Sequence, residues 1–168
     1  MNGKAIRTLE FDKIIGLLTE RASTAARKEL AAGLLPASGL DEVNRRLAET
    51  DEAANVIRLK GAPPFGGIRS IGPLLRRAAI GGMLEASELM DIASTAGAGR
   101  RLKRFLAAVH KDHPLPLLAE LFEPIAELKE LEEAIWQCID EQGEVLDRAS
   151  AELARIRREM QIGEARVK

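Results

Sequence analysis

The 168-residue chain has two histidines, His110 and His113, with Asp112 standing between them. Imidazole and carboxylate are metal ligands, but a zinc site takes about four such groups. The sequence offers neither a second histidine cluster nor a cysteine pair, so the three read as polar loop residues ahead of Pro114 and no metal is expected. The single cysteine, Cys138, has no neighbouring histidine or base to stabilise a thiolate and reads as a buried spectator. Ser23, Ser38 and Ser150 lack the strand-to-helix elbow of a hydrolase nucleophile and sit where helix N-caps are expected. Phe65-Gly66-Gly67 and Ile80-Gly81-Gly82 have glycines suited to a phosphate cradle. Neither has the GxxxxGK[ST] spacing, and no lysine is placed to reach a phosphate. No catalytic, cofactor-binding or metal-binding residue is therefore expected in this stretch of chain.

The main charge feature is basic. Arg100, Arg101, Lys103 and Arg104, with Arg69, Arg76 and Arg77, give residues 69–104 seven bases against Glu85, Glu88 and Asp91. Such a patch can neutralise nucleic-acid phosphates. No aromatic residue is interleaved for base stacking, and the acidic run Glu127, Glu130, Glu132, Glu133, Asp140 and Glu141 offers the same bases partners within the chain. Nucleic-acid contact and internal ion pairing both remain open on the sequence. Arg155, Arg157 and Arg158 read as a solvated helix face.

These groups need helices to hold them. Apolar residues make up 46% of the chain and aromatics only 3%, so the core must be aliphatic, and the dominant Ala, Leu, Glu, Arg and Lys are strong helix formers. The net charge of −1 names no partner by itself. No apolar run approaches the roughly 18–20 residues that span a bilayer, and the start, Met1-Asn2-Gly3-Lys4, lacks a signal-peptide stretch. A lone cysteine fits a reducing compartment. The expectation is a cytoplasmic protein with no membrane partner.

Along the chain, Thr8 is placed to cap a helix carrying Leu9, Phe11, Ile14, Leu17 and Leu18. A second helix follows Ser23, with Leu30 and Leu34 inward, and stops before Pro36. Ser38 and Asp41 resemble a capping box opening a helix over 40–60, with Val43, Leu47, Ala54 and Ile57 inward. The break Gly61-Ala62-Pro63-Pro64-Phe65-Gly66-Gly67 follows. The spacing then predicts a short helix over 73–79 ending at Gly81-Gly82. A long helix from Glu88 to about His110 comes next, interrupted at Gly97 and Gly99. An acidic helix over 117–140, bent at Pro124, leads to a turn at Gln142-Gly143. Ser150 caps a final helix whose Leu153, Ile156, Met160 and Val167 form a seam of three- and four-residue steps. That helix meets no Gly or Pro stop and reads as cut before it finishes. The fold expected is all-α, a bundle of about six to eight helices ending in a long, truncated, coiled-coil-like helix.

Four ordered segments carry a resemblance: Thr8-Leu-Glu-Phe-Asp-Lys-Ile14, Leu59-Lys-Gly-Ala-Pro-Pro-Phe-Gly-Gly-Ile68, Arg77-Ala-Ala-Ile-Gly-Gly-Met-Leu84 and Ile139-Asp-Glu-Gln-Gly-Glu-Val-Leu-Asp-Arg-Ala-Ser150. Together the chain resembles the N-terminus of the second bacterial branch of the MutS family, the paralogues that carry a C-terminal Smr (small MutS-related) domain. One departure is Glu85-Ala86 before Ser87, where that family usually has Ser-Pro at the start of the long helix. The resemblance implies a helical core, or lever base, over residues 1–149, and over 150–168 the start of a lever helix leading to a clamp. It implies a parent that is an ATPase using ATP and Mg, a homodimer, with an Smr-type endonuclease. That parent would act on branched DNA in suppressing recombination, or on stalled ribosomes in their rescue. The family's chemical residues all fall beyond Lys168, so the segment itself is expected neither to hydrolyse ATP nor to cut DNA. The alternatives are a helical dimerisation module, or a direct nucleic-acid binder through Arg100, Arg101, Lys103 and Arg104.

Overall fold

The computed structural model describes residues 8–22 and 25–167, without the side chains of residues 25, 26, 166 and 167. Ser23 and the side chain of Val167 lie outside the described residues. Within them the chain forms eight α-helices and one 3-10 turn (Asp147–Ala149): α1 (Phe11–Arg21), α2 (Ala25–Ala32), α3 (Leu40–Lys60), α4 (Gly72–Ala79), α5 (Ala86–Asp112), α6 (Pro116–Phe122), α7 (Lys129–Cys138) and α8 (Ala151–Val167). The fold is all-α, as composition and periodicity imply. Internal contacts divide the chain into two units, Met1–Pro63 with Phe105–Pro124, and Pro64–Arg104 with Ile125–Lys168. Helix α5 contributes residues to both.

In the first unit, Val56 of α3, Val109 of α5 and Leu115 form the core, with Phe105, Leu106 and Leu118 packed against it. Full burial of such a side chain contributes about 1.5–3 kcal/mol. Several sequence expectations need correction here. Helix α1 begins after Glu10, itself in the left-handed region (φ 51), so Thr8 is not its cap. Ser38 does not cap α3 either; Gly39 holds that position with no side-chain bond. Leu30, Leu34, Leu47 and Ile57 are exposed, while Ala31 and Val56 are buried instead. The buried face of α3 is turned from the expected one because Glu52, four residues before Val56, points inward: its carboxylate accepts the N–H groups of Leu117 (3.2 Å) and Leu118 (2.8 Å) at the start of α6. A search for apolar periodicity passes over an inward glutamate.

In the second unit, Ile92 and Ala93 of α5 pack with Ile135 and Ile139, and Ile71, Leu74, Leu89, Met90 and Trp136 surround them. Helix α4 starts with Pro73 in its first turn and ends at the Gly81-Gly82 turn, as expected, where the Gly82 N–H reaches the Arg77 carbonyl at 2.9 Å. Helix α5 starts at Ala86, and Glu88 folds back to accept the Glu85 N–H at 2.8 Å, half of a capping box. It runs through Gly97 and Gly99 without interruption, contrary to the sequence reading. The expected helix over 117–140 is instead two, α6 and α7, separated at residues 123–128. Pro124 has no N–H to bond back to Glu120 and clashes with the preceding turn, so it ends a helix rather than bending it.

After α7 the chain reverses tightly, as the sequence signals. Ile139 pairs with Val145 in an isolated antiparallel bridge, and Gly143 takes φ 87, where a side chain would be strained. Asp140 Oδ1 accepts the N–H groups of Gln142 (2.9 Å) and Glu144 (2.8 Å). Ser150 then caps α8, its Oγ accepting the Leu153 N–H at 3.0 Å.

Candidate functional site

The basic row of α5 faces α7 and the segment before it. Arg100 and Glu132 meet in a forked pair, Nη2 lying 3.1 Å from Oε1 and 3.0 Å from Oε2, with Nε 3.3 Å from Oε2. Their side chains are only 19% and 16% exposed, which sets this pair apart from the others in the unit. A planar guanidinium on a carboxylate adds geometric restraint to charge attraction. Gly97 makes room for it: a Cβ there would lie 2.8 Å from Glu132 Oε1.

The other three bases are also engaged. Lys103 Nζ donates to the Ile125 carbonyl at 2.8 Å, Arg104 Nη2 lies 3.3 Å from Glu127 Oε2, and Arg101 Nη2 donates to the Gly66 carbonyl at 3.1 Å. Arg104 and Glu127 are both well exposed, and such pairs add at most about 1 kcal/mol. Each of the four bases thus has an acceptor within the second unit, two of them glutamates of the acidic run. Glutamate spacing in the sequence identifies candidate partners but not which of them α7 turns toward α5.

The histidines do not stand together as a site. His110 belongs to α5 rather than to a loop; its Nδ1 accepts the Leu115 N–H at 2.8 Å, and its ring meets Phe122 edge-on at 6.0 Å. That bond requires the tautomer protonated at Nε2, and it fixes the corner between α5 and α6. His113 is exposed. Among the described residues no group of three or more His, Cys, Asp or Glu is placed to hold a metal ion. Cys138 is a free thiol, half-buried against the Ile135–Ile139 core.

Helix α8 has a different character. Leu153 is half-buried near its start, but Ile156 and Met160, the next members of the seam, are exposed, as is Ile162. Its polar face is internally paired: Arg155 bridges Glu152 and Glu159 at 2.6 Å each, and Arg157 reaches Asp147 at 2.6 Å. The Arg155 hydrogen bond holds the Glu152 carboxyl below its usual range, and the bonds to Glu152 and then Glu159 raise Arg155. Sequence reasoning missed the cross-helix cap from Glu52 and the hairpin acceptor Asp140. An acidic residue two positions ahead of a Gln-Gly turn was a legible signal for Asp140; Glu52 had none.

Over its full length the chain is 48% identical to Endonuclease MutS2 of Brevibacillus brevis, covering 21% of that protein. It is 46% identical to Endonuclease MutS2 of Geobacillus thermodenitrificans and 38% identical to Putative endonuclease MutS2 of Bacillus subtilis, covering 22% of each. No protein-family model matches it. What the chain matches in these relatives is the N-terminal part of MutS2 proteins. It spans about a fifth of the length of these relatives. No helix among the described residues is long and apolar enough to cross a membrane.

Proposed function

We propose that this chain is the helical core and lever base of a MutS2-length ATPase, with residues 150–168 forming the start of the lever helix toward a clamp. The observation that carries the reading is the full-length match to the N-terminal part of MutS2 proteins. The exposed Ile156 and Met160 on a capped, proline-free α8 support it, because such a stripe packs against a further helix. In this reading ATP and Mg bind elsewhere in the parent homodimer, and nucleotide-driven movement passes along α8. The parent acts on branched DNA or on a stalled ribosome, and the relatives' name, endonuclease, puts nucleic acid first. The basic row of α5 serves as an internal brace, since all four bases have acceptors within their own unit.

The test uses the full-length parent carrying Arg158→Pro, which breaks α8 at an exposed position, beside Arg158→Ala. We expect basal ATP turnover to persist in both. The nucleotide dependence of branched-DNA binding should be lost in the proline variant alone. Retention of that dependence in Arg158→Pro would sink the lever role. A dimerisation module is the second reading, favoured by the same exposed stripe; Met160→Asp would then abolish dimerisation of the parent while leaving nucleotide coupling intact.

A further inference from the structure

The groove between α1 and α3 is the least explained surface of the first unit. Helix α1 buries none of its residues, and the apolar Phe11, Ile15 and Leu18 of α1, Leu34 and Leu35 of the connector and Leu47 of α3 line one open groove of about 540 Å³. Leu35 is 70% exposed and Leu47 59%. Soluble proteins seldom leave so continuous an apolar surface uncovered. The groove is also built: Arg46 Nη1 donates to the Leu35 carbonyl at 3.1 Å while its Nη2 holds Glu42 at 2.5 Å, so the connector is pinned beside α3.

We propose that this groove seats one amphipathic helix from the same polypeptide, supplied by the part of a MutS2-length protein that this chain does not cover. A small molecule fits poorly, because the polar groups at the rim are already used. Arg46 is engaged as above, Glu49 accepts from Arg45 at 3.0 Å, and Thr50 donates to the Arg46 carbonyl at 2.8 Å. What remains is apolar, at the 11, 15, 18 spacing that receives a helix with apolar residues at i, i+3 or i+4, and i+7. Helices α1 and α2 have 11 and 8 residues, short of the roughly 12–15 that are even marginal in isolation. They need tertiary cover, and the first unit leaves the apolar side of α1 open. The occupant is assigned to the same polypeptide on length: relatives carry about four-fifths of their chain outside the matched region, and a tethered helix binds at high effective concentration. The proposal rests on the MutS2-length reading above.

The experiment tiles the uncovered part of the Brevibacillus brevis relative with overlapping peptides of about 25 residues, each some 37 Å long as a helix. The peptides, and that part as one polypeptide, are titrated onto the 168-residue chain with hydrogen exchange as the readout. One tile is expected to slow exchange in α1 and the first half of α3. Leu18→Asp and Leu47→Asp should each weaken its binding at least about tenfold, with protection at Val56 and Val109 unchanged as evidence of folding. Three results overturn the proposal: neither tiles nor the intact remainder protect α1; binding ignores both substitutions; or sedimentation shows the same protection arising from a second copy of the chain. A native protein no longer than 168 residues would end the MutS2-length reading itself. Failure of all binding when the native parent is full length would end only the groove proposal.

Discussion

Asp140 and Glu52 each satisfy two backbone N–H groups with one carboxylate, Asp140 within a five-residue reversal and Glu52 across to another helix. Losing the acceptor costs most at Glu52, where part-buried donors are left without partners; at Asp140 the freed N–H groups are exposed and can turn to water. Asp140→Ala should lower stability by about 1–2 kcal/mol, and Asp140→Asn by clearly less, because its amide oxygen still accepts. Urea unfolding of the two variants checks this. Equal losses would mean that charge, not acceptance, matters at the turn. The direction of the Glu52 carboxylate is hard to read from sequence, since glutamate is at home on solvated faces.

Between α5 and α7, glycine and ion pair are coupled. Gly97 sits in the middle of a 27-residue helix, where alanine is favoured by roughly 0.5–1 kcal/mol. The sequence argument that glycine there interrupts the helix follows from propensity alone. Tertiary contact reverses it: the missing Cβ is where the Glu132 carboxylate lies, held by Arg100. Gly97→Ala should therefore be neutral or destabilising in the native chain, yet stabilising by about 1 kcal/mol once Glu132→Ala has removed the carboxylate. A double-mutant cycle in thermal or urea unfolding measures the coupling. Simple additivity of the two substitutions would show that the glycine and the pair are independent. At the same scale, the split of 117–140 into α6 and α7 puts Glu127 and Glu132 opposite α5, which a single bent helix did not suggest.

For the whole molecule, two aliphatic cores matter, one around Val56, Val109 and Leu115 and one around Ile92, Ala93, Ile135 and Ile139. Each lies within one unit of the chain. Val109→Ala, at a side chain 1% exposed, should cost about 2 kcal/mol through lost burial and a residual cavity. We expect hydrogen exchange to quicken in α3 and α6 while the amides of Ile92, Ala93 and Ile135 keep their protection. Uniform loss of protection in both cores would show a single cooperative body. The apolar groove of α1 and α3 and the exposed stripe of α8 then mark, at this scale, where a parent of the relatives' length is proposed to complete the structure.

Composition and local pattern determined what depends on neighbours in the chain. Aliphatic periodicity and scarce aromatics led to an all-α fold; Ser150 as a cap, Pro73 in a first turn, Gly81-Gly82 as a stop and Gln142-Gly143 as a turn are local chemistry that each segment carries with it. The ordered segments were enough to reach the likeness to the N-terminal part of MutS2 proteins as well. Tertiary structure decided what depends on phase and partner. Val56 and Ile57 are adjacent in sequence, and only the position of α6 settles that Val56 turns inward with Glu52 beside it. The basic row shows the same limit: Arg100, Arg101, Lys103 and Arg104 read alike as charge, and only the approach of α7, made possible by Gly97, separates the half-buried Arg100 pair from the exposed Arg101 and Arg104. Charge is a property of a residue, whereas desolvation belongs to the packing around it.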